Sequence, residues 1–520
     1  MWIIVPIILF AIVIFVLKYV FSSPGPNPFE RDTREPLKKM VHDRKEKNKV
    51  LKQGFLASKV PDNLDAIIIG SGIGGLGLGV LLAKVGKKVL VLEQHGRAGG
   101  CCHTFTEKGF EFDVGIHYIG DLLDHKPFRC MLDQMTDGQL QWEPLDNPFD
   151  HVVLGPPENR RRYPIYSGRT RFPEELKKCF PGEEKAIDEY VRLVKVGTCC
   201  TTGRFHSDIS ATDPKAGGAV LVRAPVNRIL FNDSKEAVGV SVMKGQEEVH
   251  IHAPMVISDA GIFNTYQKLL PKELQAMPAI QKQLGMMKNG EGGLSIFLGL
   301  NGTKEDLGLK ADNYWIFSEN NFDELVEEYL KGDREDSAKK VPLLFVASPS
   351  AKDPTWEERS PGKSTLSLVS FANYQWFEEW KDDKVTNRGQ DYKALKQAFI
   401  DSILEVVMDV FPKITRDKIE YVDAGTPITN THYIGAPKGE IFGADHGVAR
   451  FCPDVNATVR PQTPLKNLYL TGQDVFVCGF AGALAGALTC GSVILNRNLH
   501  LDAIALAKKT KFMNEKLKGE

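Results

Sequence analysis

The run AIIIGSGIGGLGLGVLLAK, Ala66 to Lys84, constrains the fold more than any other part of the chain. Ala66 to Ile69 is continuously apolar and mostly β-branched, which suits a strand buried on both faces of a parallel sheet. Leu76 to Lys84 has helical spacing, so the segment reads as strand, turn and helix. Gly70, Gly72 and Gly75 form GxGxxG across the turn, with Gly74 beside the last of them. The first glycine permits the tight turn, the second lets backbone approach a pyrophosphate, and the third lets the helix pack closely on the strand.

A second strand, Lys88 to Leu92, ends at Glu93, about 20 residues beyond the glycines, where a carboxylate can accept hydrogen bonds from an adenosine ribose. An acid there also disfavours a 2′-phosphate. The doublet Gly99-Gly100 follows and gives backbone a second place to lie against a cofactor. Far along the chain, NLYLTGQDVFVCGFAGALAGALTCGSVI repeats the logic: Leu468 to Thr471 as strand, Gly472 and Asp474 in a turn, and Ala481 to Ile494, including Gly482, as a small-residue helix. A membrane helix of small residues is the alternative there, disfavoured by the scarcity of large apolar side chains. Between these ends, Val220 to Val222, Val226 to Leu230, Val238 to Met243 and Met255 to Ile257 read as strands.

With 520 residues, 42% of them hydrophobic and 25% charged, the chain can bury a core of domain size or more. A net charge of −1 leaves no basic footprint for nucleic acid. Nine cysteines without a CxxC pair indicate neither a disulfide framework nor a zinc site. The first residues, MWIIVPIILFAIVIFVLKYVF, are apolar over about the length of a bilayer core, and a retained anchor is favoured over a cleaved signal because no charge precedes the run. Basic residues from Lys38 to Lys52 favour a cytosolic body. The terminal KLKGE resembles an endoplasmic reticulum retrieval signal, although a solvated charge run is the commoner explanation.

Six separated stretches carry a resemblance: VPDNLDAIIIGSGIGGL, VLVLEQHGRAGGCCHTF, EFDVGIHYIG, PSAKDPTWEERSPGKST, FGADHGVAR and NLYLTGQDVFVCGFAGAL. Together they resemble the retinol-saturase branch of the carotenoid and retinoid oxidoreductases, within the amine-oxidase and phytoene-desaturase flavoprotein superfamily. The resemblance implies FAD as cofactor, with NAD or NADP left open as electron source. It also implies a membrane-held polyene substrate, saturation of the 13,14 double bond of all-trans-retinol, and residence in the endoplasmic reticulum membrane. It places Asp474 at the ribityl and pyrophosphate region and the backbone near Val226 at the adenine. Another polyene desaturase or isomerase, an amine-oxidase-type enzyme, or a shortened chain that binds FAD without activity are the alternatives.

The expected fold is α/β: a Rossmann-type FAD-binding part, discontinuous over 61–120, 217–275 and 421–500, and a mixed-sheet α+β substrate part over 121–216 and 276–420. A hydrophobic anchor or signal (1–21), a basic linker (22–60) and a charged tail (501–520) flank them. On the substrate side a helix from about Tyr392 to Phe411 presents Leu395, Phe399, Ile403 and Val407 on one face. His117 and Tyr118, with His103 nearby, are candidate proton donors by residue type, although a structural role is commoner for such side chains.

In one respect the chain departs from the pattern. The family carries a long, mainly helical region after the sequence corresponding to EYVRLVKV, but here GTCCTTGRFHSDISATDPK alone joins the flanks. Cys199 and Cys200 are adjacent, so their side chains diverge in an extended chain and His206 has no cluster to join. The stretch therefore reads as a junction near 197–216 at which part of the substrate side is missing.

Overall fold

The computed structural model of the chain describes residues 24–41, 43–120, 122–124, 126–197, 202–203 and 218–519. The apolar N-terminal run, Cys199, Cys200 and His206 lie outside them. Ala66–Ile69 is the central strand of a five-stranded, wholly parallel sheet. In order across that sheet come Leu468–Leu470, Val256–Ser258, Ala66–Ile69, Val89–Leu92 and Gly218–Leu221. The four residues of the central strand are buried, as expected for a layer covered on both faces.

Two helices cover one face. Ile73–Lys84 follows the glycine turn, and Gly479–Ile494 packs against it through small residues. A Cβ on Gly77 would stand 2.9 Å from a Leu484 methyl, and one on Gly491 would stand 3.3 Å from a Leu78 methyl. Leu78, Leu81, Leu484 and Leu488 close the core between them. On the other face Val226–Phe231, Ala237–Lys244 and Glu247–His252 form an antiparallel three-stranded sheet.

A second, seven-stranded sheet makes the substrate side. Its order is Ile419–Gly425, Gly293–Asn301, Lys363–Phe371, Leu343–Ala347, Asn313–Phe317, Asp150–Leu154 and Arg161–Ile165. Every pairing is antiparallel except that of Asp150–Leu154 with Asn313–Phe317, so the sheet is mixed. The helix Gly389–Val410 lays Leu395, Phe399, Ile403 and Val407 into the core of this layer. The observed architecture is thus α/β with a discontinuous Rossmann-like domain and a mixed-sheet layer.

Several expected boundaries move, each because apolar residues pair with a different layer. Ile419–Gly425 straddles residue 421 yet hydrogen-bonds to Gly293–Asn301, so the substrate layer extends past 420. Pro127–Met135 buries Met131, Leu132 and Met135 in the nucleotide-side core, although it lies within 121–216. The region taken as a linker inserts Phe29 and Phe55 into cores, and the Phe55 N–H donates to the Val222 carbonyl at 2.8 Å. The charged tail belongs to the helix Leu499–Gly519, which buries Ala503, Leu506 and Ala507 at helical spacing.

Among the described residues no single helix is long and apolar enough to cross a membrane. Gly479–Ile494 and Leu499–Phe512 pass such a test only as a pair bent by 111°, and both contribute buried residues to the nucleotide-side core. Phe399 of the long helix is fully buried, with its ring against those of Trp376 and Phe377. Phe399→Ala should lower the unfolding free energy by about 3–5 kcal/mol, measured by chemical denaturation, with the cradle of the parallel sheet retained in cofactor titrations.

Candidate active site

The dinucleotide cradle grows from the glycine turn. Gly70 takes φ +99° at the end of the central strand, and the helix begins directly after Gly72. A Cβ on Gly75 would lie 2.4 Å from the Gly70 carbonyl oxygen. That glycine therefore permits strand and helix to meet and does not itself face the cavity.

Glu93, at the end of the neighbouring strand, is buried and turned back toward the turn. Its carboxylate accepts the Ser71 hydroxyl at 2.5 Å, the Ser71 N–H at 3.2 Å and the His95 N–H at 2.8 Å. Ser71 Oγ in turn accepts the Gly99 N–H at 3.0 Å, and a Cβ on Gly100 would come 3.0 Å from Gly72 Cα. The glycine doublet is thereby locked against the first turn. Carboxylate oxygens have about four acceptor sites, so Glu93 retains capacity for a ribose hydroxyl.

The far end of the chain enters the same place. Gly472 turns at φ +89°, and the Asp474 carboxylate accepts the Ile262 N–H at 2.9 Å and the Ala444 N–H at 3.0 Å. A Cβ on Gly74 would stand 2.6 Å from Gly472 Cα and 2.5 Å from an Asp259 oxygen. Gly482 is closed to a side chain by the Val477 carbonyl, 1.8 Å from where its Cβ would be, and lies behind the cavity wall. Val226 opens the three-stranded sheet and lines the wall.

Asp259 was not singled out from the sequence. It follows the returning strand Val256–Ser258 and accepts backbone N–H groups from Gly75 and Gly72. Burial, together with repulsion from Asp474 and Glu93, pushes its carboxyl up to about 7. Three carboxyl groups, those of Glu93, Asp259 and Asp474, thus border one cradle. Cys101 and Cys102, beside it, are thiols that burial pushes well up, so they are protonated and inert.

Gly70, Gly72, Gly74, Glu93, Gly100, Asp259 and Asp474 line one cavity of 1690 Å³ together with Val226. At one end stand the glycine turn, Glu93 and Asp474, and at the other the seven-stranded sheet presents Phe297, Trp315, Phe345 and Val369. Along the wall His95 Nε2, Asn264 Oδ1 and Thr471 Oγ1 are buried without a hydrogen-bond partner among the described residues. Unpaired buried polar atoms are costly unless a ligand or water meets them, and with the glycine-walled helix start they fit an adenine dinucleotide.

Residues 68–135 match the family described as an NAD(P)-binding Rossmann-like domain. All-trans-retinol 13,14-reductase of Danio rerio is 61% identical over 100% of both chains. The Homo sapiens protein of the same name is 41% identical over 98% of both. The chain belongs to the all-trans-retinol 13,14-reductase family. An inactive all-trans-retinol 13,14-reductase of Danio rerio is also related, at 35% identity over 92% of this chain and 94% of that one. Among solved structures, cyclohexylamine oxidase from Brevibacterium oxydans IH-35A shares the fold at a TM-score of 0.50 and 15% identity, over 86% of this chain and all of that one.

The match to the first reductase runs over 608 aligned positions against a chain of 520 residues, so that relative carries a stretch with no counterpart here. The short junction after Val196 predicts such a stretch. On the substrate side the three candidate proton donors differ. Burial and the Lys352 ammonium hold the His117 imidazole down to about 3, and burial holds His103 down to about 4 with its Nδ1 2.5 Å from the Gly100 carbonyl oxygen. Both are neutral at physiological pH. Tyr118 lines the cavity and donates its hydroxyl to Asp150 Oδ2 at 3.2 Å.

Asp259 yields a pH prediction. Its folded-state value of about 7 exceeds the ordinary 3.8, so its contribution to stability is complete below about 3.8 and is lost as pH rises toward and through 7. Asp259→Asn removes that loss. In cofactor-free protein the variant should melt above wild type at pH 8, by an amount on the order of 4 kcal/mol at most, with the advantage vanishing toward pH 4 in differential scanning fluorimetry.

Proposed function

We propose that this chain is an FAD-dependent oxidoreductase that acts on CH–CH groups and saturates the 13,14 double bond of all-trans-retinol, giving all-trans-13,14-dihydroretinol. The observation that carries the reading is full-length similarity to reductases of that name, joined to a cavity that passes from a dinucleotide cradle into an apolar chamber. A bound FAD supplies hydride chemistry at its ring. Glu93 would hold the adenosine ribose, the helix start at Gly72 to Gly74 would receive the pyrophosphate, and Asp474 with the turn at Gly472 would take the ribityl region. The backbone near Val226 would touch the adenine. Phe297, Trp315 and Phe345 align a polyene and keep water from the reacting carbons.

NAD or NADP is the proposed source of electrons. The apolar residues 1–21 anchor the enzyme at the endoplasmic reticulum membrane, where the substrate is dissolved. A second reading is favoured by the aligned stretch that this chain lacks: a protein that binds FAD and retinol without turning retinol over. One experiment separates the two. Protein purified in detergent should show flavin absorbance in the visible, and after photoreduction and anaerobic mixing with all-trans-retinol the flavin should reoxidise with formation of the 13,14-dihydro product. A flavin spectrum without reoxidation supports the binding reading, and the absence of flavin bands defeats both.

A further inference from the structure

Directly behind the apolar end of the cavity lies a polar cluster that the cofactor cradle does not use. Asp150 is 8% exposed, Asn313 0% and Lys352 3%. Asp150 and Asn313 are the first residues of two neighbouring, parallel strands, paired in register, and Lys352 ends the helix Pro349–Lys352 that follows the strand Leu343–Ala347. Asn313 bridges the two charged residues. Its Nδ2 donates to Asp150 Oδ1 at 2.8 Å, and its Oδ1 accepts the Lys352 ammonium. Lys352 Nζ also donates to the His117 carbonyl at 3.1 Å and stands 5.7 Å from the centre of the Tyr118 ring.

Tyr118 is the place where this cluster reaches the cavity. Its ring stacks on Phe345, itself a wall residue, while its hydroxyl points to Asp150. Burying a carboxyl and an ammonium beside an apolar chamber is expensive in desolvation, and such groups at a cavity wall are candidates for a chemical task. A purely structural clamp needs no member on the cavity surface, whereas here the chain of contacts ends on Tyr118, a residue of the cavity wall.

Resting on the retinol-reducing reading, we propose that Tyr118 is the proton donor to the alkene and that Asp150, Asn313 and Lys352 are positioning residues that recharge it and stabilise its phenolate. The step balances as follows. The reduced flavin of the proposed reaction is oxidised as its hydride, with the electron pair, forms a C–H bond at one alkene carbon. The Tyr118 O–H bond breaks and its proton forms a C–H bond at the adjacent carbon. The Tyr118 phenolate then regains a proton that comes from solvent and is relayed by Asp150, whose Oδ2 lies 3.2 Å from the hydroxyl oxygen. The Lys352 ammonium over the ring favours the transient negative charge. Burial raises the Asp150 carboxyl above its ordinary range, against hydrogen bonds from Asn313, Tyr118 and Trp315 and the charge of Lys352. Other titratable groups nearby, among the described residues, include the neutral His117 and the His151–Asp312 pair, whose contact is 3.0 Å, with Tyr314 stacked on His151.

The test begins without substrate. The ultraviolet difference titration of wild type against Tyr118→Phe isolates the Tyr118 ionisation, and the same subtraction is made in Asp150→Asn and Lys352→Met backgrounds. Lys352→Met should raise the pH of that ionisation and Asp150→Asn should lower it, each by on the order of one unit. Then, with photoreduced holoprotein, Tyr118→Phe should slow flavin reoxidation by retinol by about 10²-fold or more while retinol affinity, read by fluorescence quenching, changes less than about threefold. Asp150→Asn should displace the pH profile of reoxidation. A Tyr118 ionisation unmoved in both backgrounds, or Tyr118→Phe reducing retinol at the wild-type rate, overturns the proposal. If wild-type holoprotein fails to reduce retinol while the Tyr118 titration is coupled, the retinol reading falls and the coupled network stands.

Discussion

The close approach of Gly74 to Gly472, with Asp259 between them, is the contact on which the rest of the nucleotide side depends. It joins segments separated by most of the chain. Three elements must converge there: the start of the first helix, the turn before the last small-residue helix, and the loop after Val256–Ser258. Any side chain at Gly74 would drive backbone from backbone, so the parallel order of the sheet, with Leu468–Leu470 beside Val256–Ser258, follows from keeping this junction tight. The charge at the junction is part of the same constraint. Asp259 satisfies N–H groups at the helix start, a place that favours anions, yet it does so next to Glu93 and Asp474, so an anionic ligand enters a site in which negative charge is already crowded.

That arrangement gives the cavity two chemically different ends. At the cradle, backbone amides and carboxyl groups recognise a polar, anionic molecule through fixed geometry. At the seven-stranded sheet, Phe297, Trp315, Phe345 and Val369 present apolar surface, and Tyr118 is the wall residue that connects to the polar groups behind it. A reaction that moves two electrons from a dinucleotide to an apolar polyene needs both ends in one enclosed space, with water scarce and a proton source held at a defined point.

The nucleotide side was largely legible in the sequence because its signals are local. The glycine spacing, the acid at the end of the second strand and the turn at Gly472 and Asp474 each report a backbone requirement within a few residues. The substrate sheet was less so: Asn313–Phe317, Asp150–Leu154 and Ile419–Gly425 are short, and the pairings that define them join residues far apart. Asp259 and Lys352 escaped for the same reason. Each sits in a plain local context, SDAG or SAKD, and acquires its character only when the fold places it against a helix start or behind a cavity wall. The linker and tail failed differently, because charge composition hid the sparse apolar residues, Phe29, Phe55 and Leu506, that pack them down.

The same separation bears on what the missing aligned stretch can change. Every cradle residue named here lies at or before Gly100 or at or after Val226, and Tyr118, Asp150, Asn313 and Lys352 lie on strands, loops and a helix that are present. A shortening near 197–216 therefore removes none of these residues, although Thr202–Gly203 of that stretch pairs with Ile119–Gly120, directly after Tyr118. What such a loss removes is material that could cover the substrate. Cover matters to turnover more than to binding of the dinucleotide, since the cradle's contacts are made by glycine turns and buried acids that are complete without it, whereas an exposed chamber admits water to the reacting carbons. On the proposed reading, cofactor binding and substrate reduction are consequently separable, the first resting on the two ends of the chain and the second on the cover of the chamber between them.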